Sequence, residues 1–382
     1  MNPVRRLSAA LPDGARLVNS TVPVIGVLPG EGIGPEVVAV ALDLLQTLGD
    51  ISGRRCEVRL GGAIGNDALR EQGSALPDGI ADFCREIFAA GGPLLCGPGG
   101  ARFVYLLRER FDLFCKFTPL QPFAALEGVG PLRAAASAGV DVVVVRENVG
   151  GLYFGEGGLD TTPDGAARAY HRFDYRQATV ERILGVALRL AAMRRGRLAV
   201  VVKREGVPAI SALWLDVVER LAAGHRVEVE ILDIDNAVYQ LIADAARFDV
   251  IVSSNMFGDV LSDCGALLLG SRGLSYSGNF GPAGAAVYQT GHGAAYDIAG
   301  RGLANPVGQI LSLAMLLQES FGWSEAAALL RDSVASTLAA GFRTRDVAGE
   351  GSVIVDAQDF GQRVAEAMRR LGERKPCASL YC

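Results

Sequence analysis

The feature that most restricts what this chain can become is an alternation. Short apolar runs rich in β-branched residues recur between longer segments whose apolar residues fall at helical spacing. VPVIGVL (22–28), DVVVVR (141–146), LAVVVK (198–203), VEVEILD (227–233) and FDVIVSS (248–254) read as strands. EVVAVALDLLQTL (36–48), TVERILGVALRLAAM (179–193) and SALWLDVVERLA (211–222) read as helices. This order of elements predicts α/β layers, with helices packed on a sheet. A chain of 382 residues, 50% hydrophobic and 21% charged, can bury a large core and fill two domains, which excludes a disordered polymer.

No apolar stretch reaches transmembrane length, so no membrane partner is expected. Residues 1–20 contain two early arginines but no continuous apolar segment, and they read as a flexible tail rather than a secretory signal. The seven cysteines are odd in number and scattered, without a C-x-x-C pair, and there are three histidines. That pattern argues against a disulfide framework or a zinc site and fits reduced thiols in a cytoplasm. A net charge of −5 gives no reason to expect nucleic acid as a partner.

LPGEGIGPE (28–36) follows a strand and opens a helix, but Gly30, Gly32 and Gly34 alternate where a dinucleotide fingerprint requires G-x-G-x-x-G. It reads as a tight strand-to-helix turn, with a phosphate loop as the other reading. NMFGDVLSDCGALLLG (255–270) is more informative. Asp259 and Asp263 stand four apart and share a helical face. Asp235, in DIDNAVYQL after a strand, is a third candidate. Oxygen ligands without histidine or cysteine select Mg²⁺ or Mn²⁺. The alternative is an aspartate at a helix start satisfying backbone donors, with Asp263 paired to an arginine. Spacing alone leaves both open.

Taken together, LPGEGIGPE, VRENVGGLYFG (145–155), DIDNAVYQL (233–241), FDVIVSSNMFGDVLSD (248–263) and HGAAYDIAGRGLANP (292–306) resemble the β-decarboxylating dehydrogenases. That family contains the isopropylmalate, isocitrate, homoisocitrate and tartrate/D-malate dehydrogenases. The resemblance implies an isopropylmalate/isocitrate dehydrogenase-like fold, not Rossmann, with two α/β domains around a central cleft. The first domain would comprise 21–113 and 271–382, and the second 114–270.

The resemblance also implies roles. Asp235, Asp259 and Asp263 would hold Mg²⁺ or Mn²⁺, Tyr153 and Lys203 would be catalytic, and Arg108 and Arg146 would bind substrate carboxylates. Arg204 competes for the lysine position, because the distance from Lys203 to Trp214 is one residue longer than in isopropylmalate dehydrogenases. His292, Gly293, Asp297 and Asn305 would bind the cofactor, with Asp297 on the adenosine ribose favouring NAD over NADP. A homodimer would share its sites, Lys203 and Asp235 of one copy completing the site of the other.

Three departures bear on the substrate. Thr118 in CKFTPLQP replaces the family's second carboxylate arginine, with Lys116 close enough to stand in for it. The segment between GPGG (97–100) and Arg108 is short, bringing Arg102, Val104 and Tyr105 towards the substrate's variable group and hinting through Arg102 at a polar or anionic substituent. Gln289 stands where isopropylmalate dehydrogenases usually carry glutamate. The activity these residues imply is oxidative decarboxylation of a 3-substituted malate, linked to NAD. The alternatives are a tartrate/D-malate-type enzyme and a metabolite-binding regulatory homologue without activity.

Overall fold

The structure, a computed structural model, describes residues 6–12, 17, 18, 20 and 22–374. Its strands are β1 (Val24–Leu28), β2 (Glu57–Leu60), β3 (Leu94–Cys96), β4 (Cys115–Leu120), β5 (Val142–Glu147), β6 (Glu156–Thr161), β7 (Ala167–Arg172), β8 (Arg197–Val202), β9 (Glu228–Asp233), β10 (Val250–Ser253), β11 (Tyr276–Phe280), β12 (Ala286–Thr290), β13 (Phe342–Arg343) and β14 (Val353–Ile354). Ten of them form one sheet in the order β2-β1-β3-β12-β11-β4-β5-β10-β8-β9.

The sheet is parallel except around its middle, where β11 runs antiparallel to β12 and β4, and β4 antiparallel to β5. Strands from 24–96 and 276–290 make one half, and strands from 115–253 the other, meeting at the β11–β4 seam. This topology is not that of a Rossmann domain. The central strands are buried along their length, all six residues of β4 and all six of β5. The helices Gly34–Ser52, Gln177–Met193 and Val307–Glu319 supply much of the apolar surface that covers the sheet. Beyond the main sheet, β6 and β7 form a two-stranded hairpin with Leu159 exposed.

The glycine-rich turn is a close-packing device. Gly30 and Gly32 have φ of 82° and 59°, and a Cβ on Gly32 would lie 2.0 Å from the Ala294 carbonyl oxygen. That approach docks the 292–306 loop on the turn through Ile33 N–H to Ala294 O at 2.9 Å.

The N-terminal segment departs from the expected free tail where it is described. Leu7–Ala10 form a 3₁₀ turn with Ser8 and Ala10 buried. The buried Glu319 carboxylate accepts from the Leu7 N–H (3.1 Å), the Ser8 N–H (2.8 Å) and the Ser8 hydroxyl (2.6 Å), while Arg189 Nε donates to the Ala10 carbonyl at 2.7 Å. No described helix is long and apolar enough to cross a membrane. The five cysteines among the described residues are all unpaired.

Candidate active site

Two antiparallel strands and one helix build a cationic cleft. Lys116 on β4 lies opposite Arg146 on β5, so the two side chains leave the sheet on one face, and Thr118 lies two residues further on, opposite Val144. Helix Phe103–Arg110 adds Arg108 from the other half. These three cations line a cleft of about 180 Å³ with Asp259, Gln289 and His292. Arg108, Lys116 and Arg146 are only 4%, 6% and 1% exposed. Arg146 is satisfied: Nε and Nη2 donate to Asn255 Oδ1 at 3.0 and 2.7 Å, and Nη1 pairs with Asp259. Gly258 makes that pairing possible, since a Cβ there would lie 2.9 Å from Arg146 Cβ.

Arg108 and Lys116 have no such partner. Neither donates a hydrogen bond within the described residues, and Arg108 Nε is buried and unsatisfied. Burial, reinforced by the mutual repulsion of the cations, pushes the Lys116 amine down to about 7 and the Arg108 guanidinium down to about 9. Two unpaired buried cations are costly unless an anion enters beside them. The cleft is therefore built for an anionic ligand. Thr118 leaves its hydroxyl oxygen buried without a partner and brings no charge.

Asp259 sits one turn after Asn255 on helix Asn255–Gly265, as the spacing predicted. As the fifth residue of that helix it does not cap the N-terminus. The Tyr153 hydroxyl donates to Asp259 Oδ2 at 3.0 Å. Tyr153 reaches it from the tight turn Gly151–Phe154, where Gly151 has φ of 70° and a Cβ would collide with the Tyr175 hydroxyl. Burial raises the Asp259 carboxyl, but Arg146, Lys116 and the Tyr153 hydroxyl hold it below the usual range, so it is ionised. Burial and that same carboxylate push Tyr153 up to about 12, which keeps its proton in place. Asp263, half exposed, pairs with Arg272 at 2.9 Å. The expected arginine partner for Asp263 therefore exists.

Lys203 and Asp235 form a separate exposed pair at 2.6 Å, in which the hydrogen bond that the ammonium donates to the carboxylate raises the lysine pKa and lowers that of the aspartate. Within a single chain Lys203 is therefore held in its charged form. Arg204, the competitor, is tied to Asp233 through its backbone N–H (2.8 Å) and its guanidinium. Of the two, it is Lys203 that faces a metal-candidate aspartate. Among the described residues no group of three or more potential metal ligands comes together.

In the 292–306 loop, Gly293 and Asp297 are exposed. His292 keeps Nε2 buried without a partner, and burial lowers its pKa, so the ring is neutral at pH 7. Asn305 is buried and already committed: its amide donates to Asp346 at 3.0 Å and its oxygen accepts from the Val307 N–H. Sequence reasoning missed the contact that anchors this loop. The Tyr296 hydroxyl reaches Glu31 Oε2 at 3.1 Å and Asn66 Nδ2 at 2.8 Å, and the buried Glu31 also accepts from the Asp67 and Gly100 N–H groups. It also missed Asn255, whose position one turn before Asp259 was a usable signal.

A ten-stranded mixed sheet thus carries, at its central seam, a cleft that brings together three buried cations and a tyrosine–aspartate pair, which makes this an α/β protein with a site suited to a small anion. A profile of the isocitrate/isopropylmalate dehydrogenase family matches residues 24–364. The chain is 38% identical over 357 residues to a 3-isopropylmalate dehydrogenase of Prochlorococcus marinus (strain MIT 9313), covering 90% of this chain and 99% of that one. It is 36% identical over 357 residues to the 3-isopropylmalate dehydrogenase of Aquifex aeolicus (strain VF5), covering 91% and 97%. Isocitrate dehydrogenase from Methylococcus capsulatus superposes with a TM-score of 0.81 at 29% identity, covering 91% of this chain and all of that one. The protein belongs to the isocitrate/isopropylmalate dehydrogenase family.

Proposed function

We propose that this protein catalyses the NAD-linked, Mg²⁺- or Mn²⁺-dependent oxidative decarboxylation of a 3-substituted malate. The observation that carries the reading is the pair of buried cations, Arg108 and Lys116, which line the cleft with Arg146 and Asp259 and donate no hydrogen bond among the described residues. A malate-type substrate brings two carboxylates, which would supply the missing partners. Lys116 takes the part for which relatives use an arginine at the Thr118 position. As a point charge it binds one oxygen rather than two.

The donor set fits a hard divalent cation. Asp259 and Asp263 offer carboxylate oxygens one turn apart, both reachable from solvent, and Asp235 is an exposed carboxylate of the same kind. One chain does not gather the three, so we assign Asp235 and Lys203 to the site of a second copy in a homodimer. When bound, the cation would polarise the 2-hydroxyl and stabilise the negative charge left by CO2 loss, while NAD would accept the hydride.

The chain's own groups would do the rest. Arg108, Lys116 and Arg146 orient the carboxylates. Lys203 would take the hydroxyl proton in its neutral form, after Asp235 has turned away to the cation and the ammonium has given up one proton to solvent. Tyr153, still protonated at neutral pH, donates to the carbon from which CO2 has left. Asp297, exposed on its loop, would face the adenosine ribose and disfavour a 2′-phosphate. The lobes 21–113 with 271–382 and 114–270 would open and close along the β11–β4 seam. The test is NADH absorbance with Mn²⁺ and a panel of 3-substituted malates, with CO2 trapped. NADH and CO2 should appear together in equal amounts. Binding of the panel without NADH formation would instead identify a regulatory homologue.

A further inference from the structure

Arg102 does not reach into the cleft. Ala101 and Arg102 have φ of 46° and 63°, two successive residues in a region that L side chains rarely adopt. This turn starts helix Phe103–Arg110 and swings the Arg102 guanidinium back over the Tyr105 ring, 4.9 Å from its centroid. The Arg108 guanidinium also lies over Tyr105, at 5.7 Å, so the ring carries two cations. Arg102 Nη2 then donates to the Tyr153 carbonyl oxygen at 3.1 Å, linking the short segment to the opposite half of the molecule. Tyr105 completes the contact by packing edge-on against Tyr153 (5.5 Å) and Phe154 (6.0 Å).

We propose that Arg102 and Tyr105 form a clamp that positions Tyr153 and fills the space beside it, so that the substrate carries only a small, uncharged 3-substituent: hydrogen, hydroxyl or methyl. The inference rests on the dehydrogenase reading above. In that reaction the carbon protonated by Tyr153 is the carbon that bears the substituent. Whatever hangs from it lies next to the Tyr153 ring, and that place is held by Tyr105. An anionic group there would face the Tyr105 ring rather than the Arg102 guanidinium, which is spent on the ring and on a carbonyl. The expectation that Arg102 reads an anionic substituent is replaced by a role in holding a wall.

The experiment compares initial rates of NADH formation, with NAD and Mn²⁺, on malate, tartrate, 3-methylmalate, 3-isopropylmalate and isocitrate, each as separate stereoisomers. The wild type should favour one of the first three over the last two by about tenfold to a hundredfold in kcat/KM. Tyr105→Ala should narrow that gap about tenfold by gaining on 3-isopropylmalate. Arg102→Ala should lower kcat on the small substrate about tenfold while KM changes little, and should raise the solvent deuterium isotope effect on kcat as protonation becomes limiting. Arg102→Lys, which can still reach the carbonyl, should restore part of the loss. Circular-dichroism melts confirm that the variants fold. Equal use of 3-isopropylmalate and malate by the wild type, or an unchanged ratio in folded Tyr105→Ala, overturns the clamp but leaves the dehydrogenase reading standing. No NADH from any of the five overturns both.

Discussion

Two regions carry the candidate chemistry, and they differ in how they handle charge. Around β4 and β5 the cations are buried and outnumber the carboxylates, so Arg108 and Lys116 wait unpaired beside an ionised Asp259. At the ends of β8 and β9 the charges are exposed and balanced one to one, Lys203 with Asp235 and Arg204 with Asp233. The first region is a cationic cleft suited to an anion. The second is neutral and solvated, which for an exposed pair contributes little to stability. Such a pair is free to exchange partners when another surface arrives. The contrast teaches that preorganisation here is unequal: the cationic cleft is built within one chain, whereas the proposed proton-taking group would be completed by a second.

The largest expected effect tests the seam between the regions. Asp259→Asn removes the carboxylate shared by Arg146, Tyr153 and the proposed cation. Turnover should fall by roughly 10³-fold, and metal titration should no longer saturate at wild-type concentrations. Wild-type rates that survive EDTA would break the metal assignment.

Next comes Lys116→Met, which keeps volume and removes the buried charge. Losing one charged donor from a site that still receives a carboxylate costs about 2–5 kcal/mol, so kcat/KM should fall by at least about thirtyfold. The same residue makes a pH prediction. Its amine titrates near 7, charged below and neutral above. Calorimetric affinity for an inert dicarboxylate such as malonate should therefore weaken as pH rises through that value, and in Lys116→Met it should be weak and lack that step.

The exposed region is tested by mixing. Lys203→Ala and Asp259→Asn should each be nearly inactive as homodimers. Co-assembled heterodimers should regain about a quarter to half of wild-type activity if Lys203 of one copy serves Asp259 of the other. No regain in verified heterodimers would place all the groups in one chain. The smallest effect concerns the cofactor. Asp297→Ser should reduce the preference for NAD over NADP by about tenfold, read from the two kcat/KM values.

Much of this was legible before any coordinates. Strand and helix positions followed from apolar periodicity, because a residue's place on the inner face depends on spacing alone. NMFGDVLSD was readable as a helix with two carboxylates on one side for the same reason. Other features were not. Residues 6–12 fall in what read as a flexible tail, yet a partner more than 300 residues away, Glu319, accepts from Leu7 and Ser8. Tyr296 and Glu31 gave no local sign that they would meet.

What the sequence determined by itself is a part of the element set (β1, β5, β8, β9 and β10 with the helices read between them), the family, and the departure at Thr118, since each depends on residue identity and near spacing. The tertiary structure alone decided which charges share a cleft and which cancel. It placed Lys116 across from Arg146, left Arg108 without an ion-pair partner among the described residues, and gave Arg102 to Tyr105 and a carbonyl rather than to the ligand side. The physical reason is that Coulomb energy and desolvation depend on distance and burial across strands that are remote in sequence. No periodicity along the chain encodes those quantities.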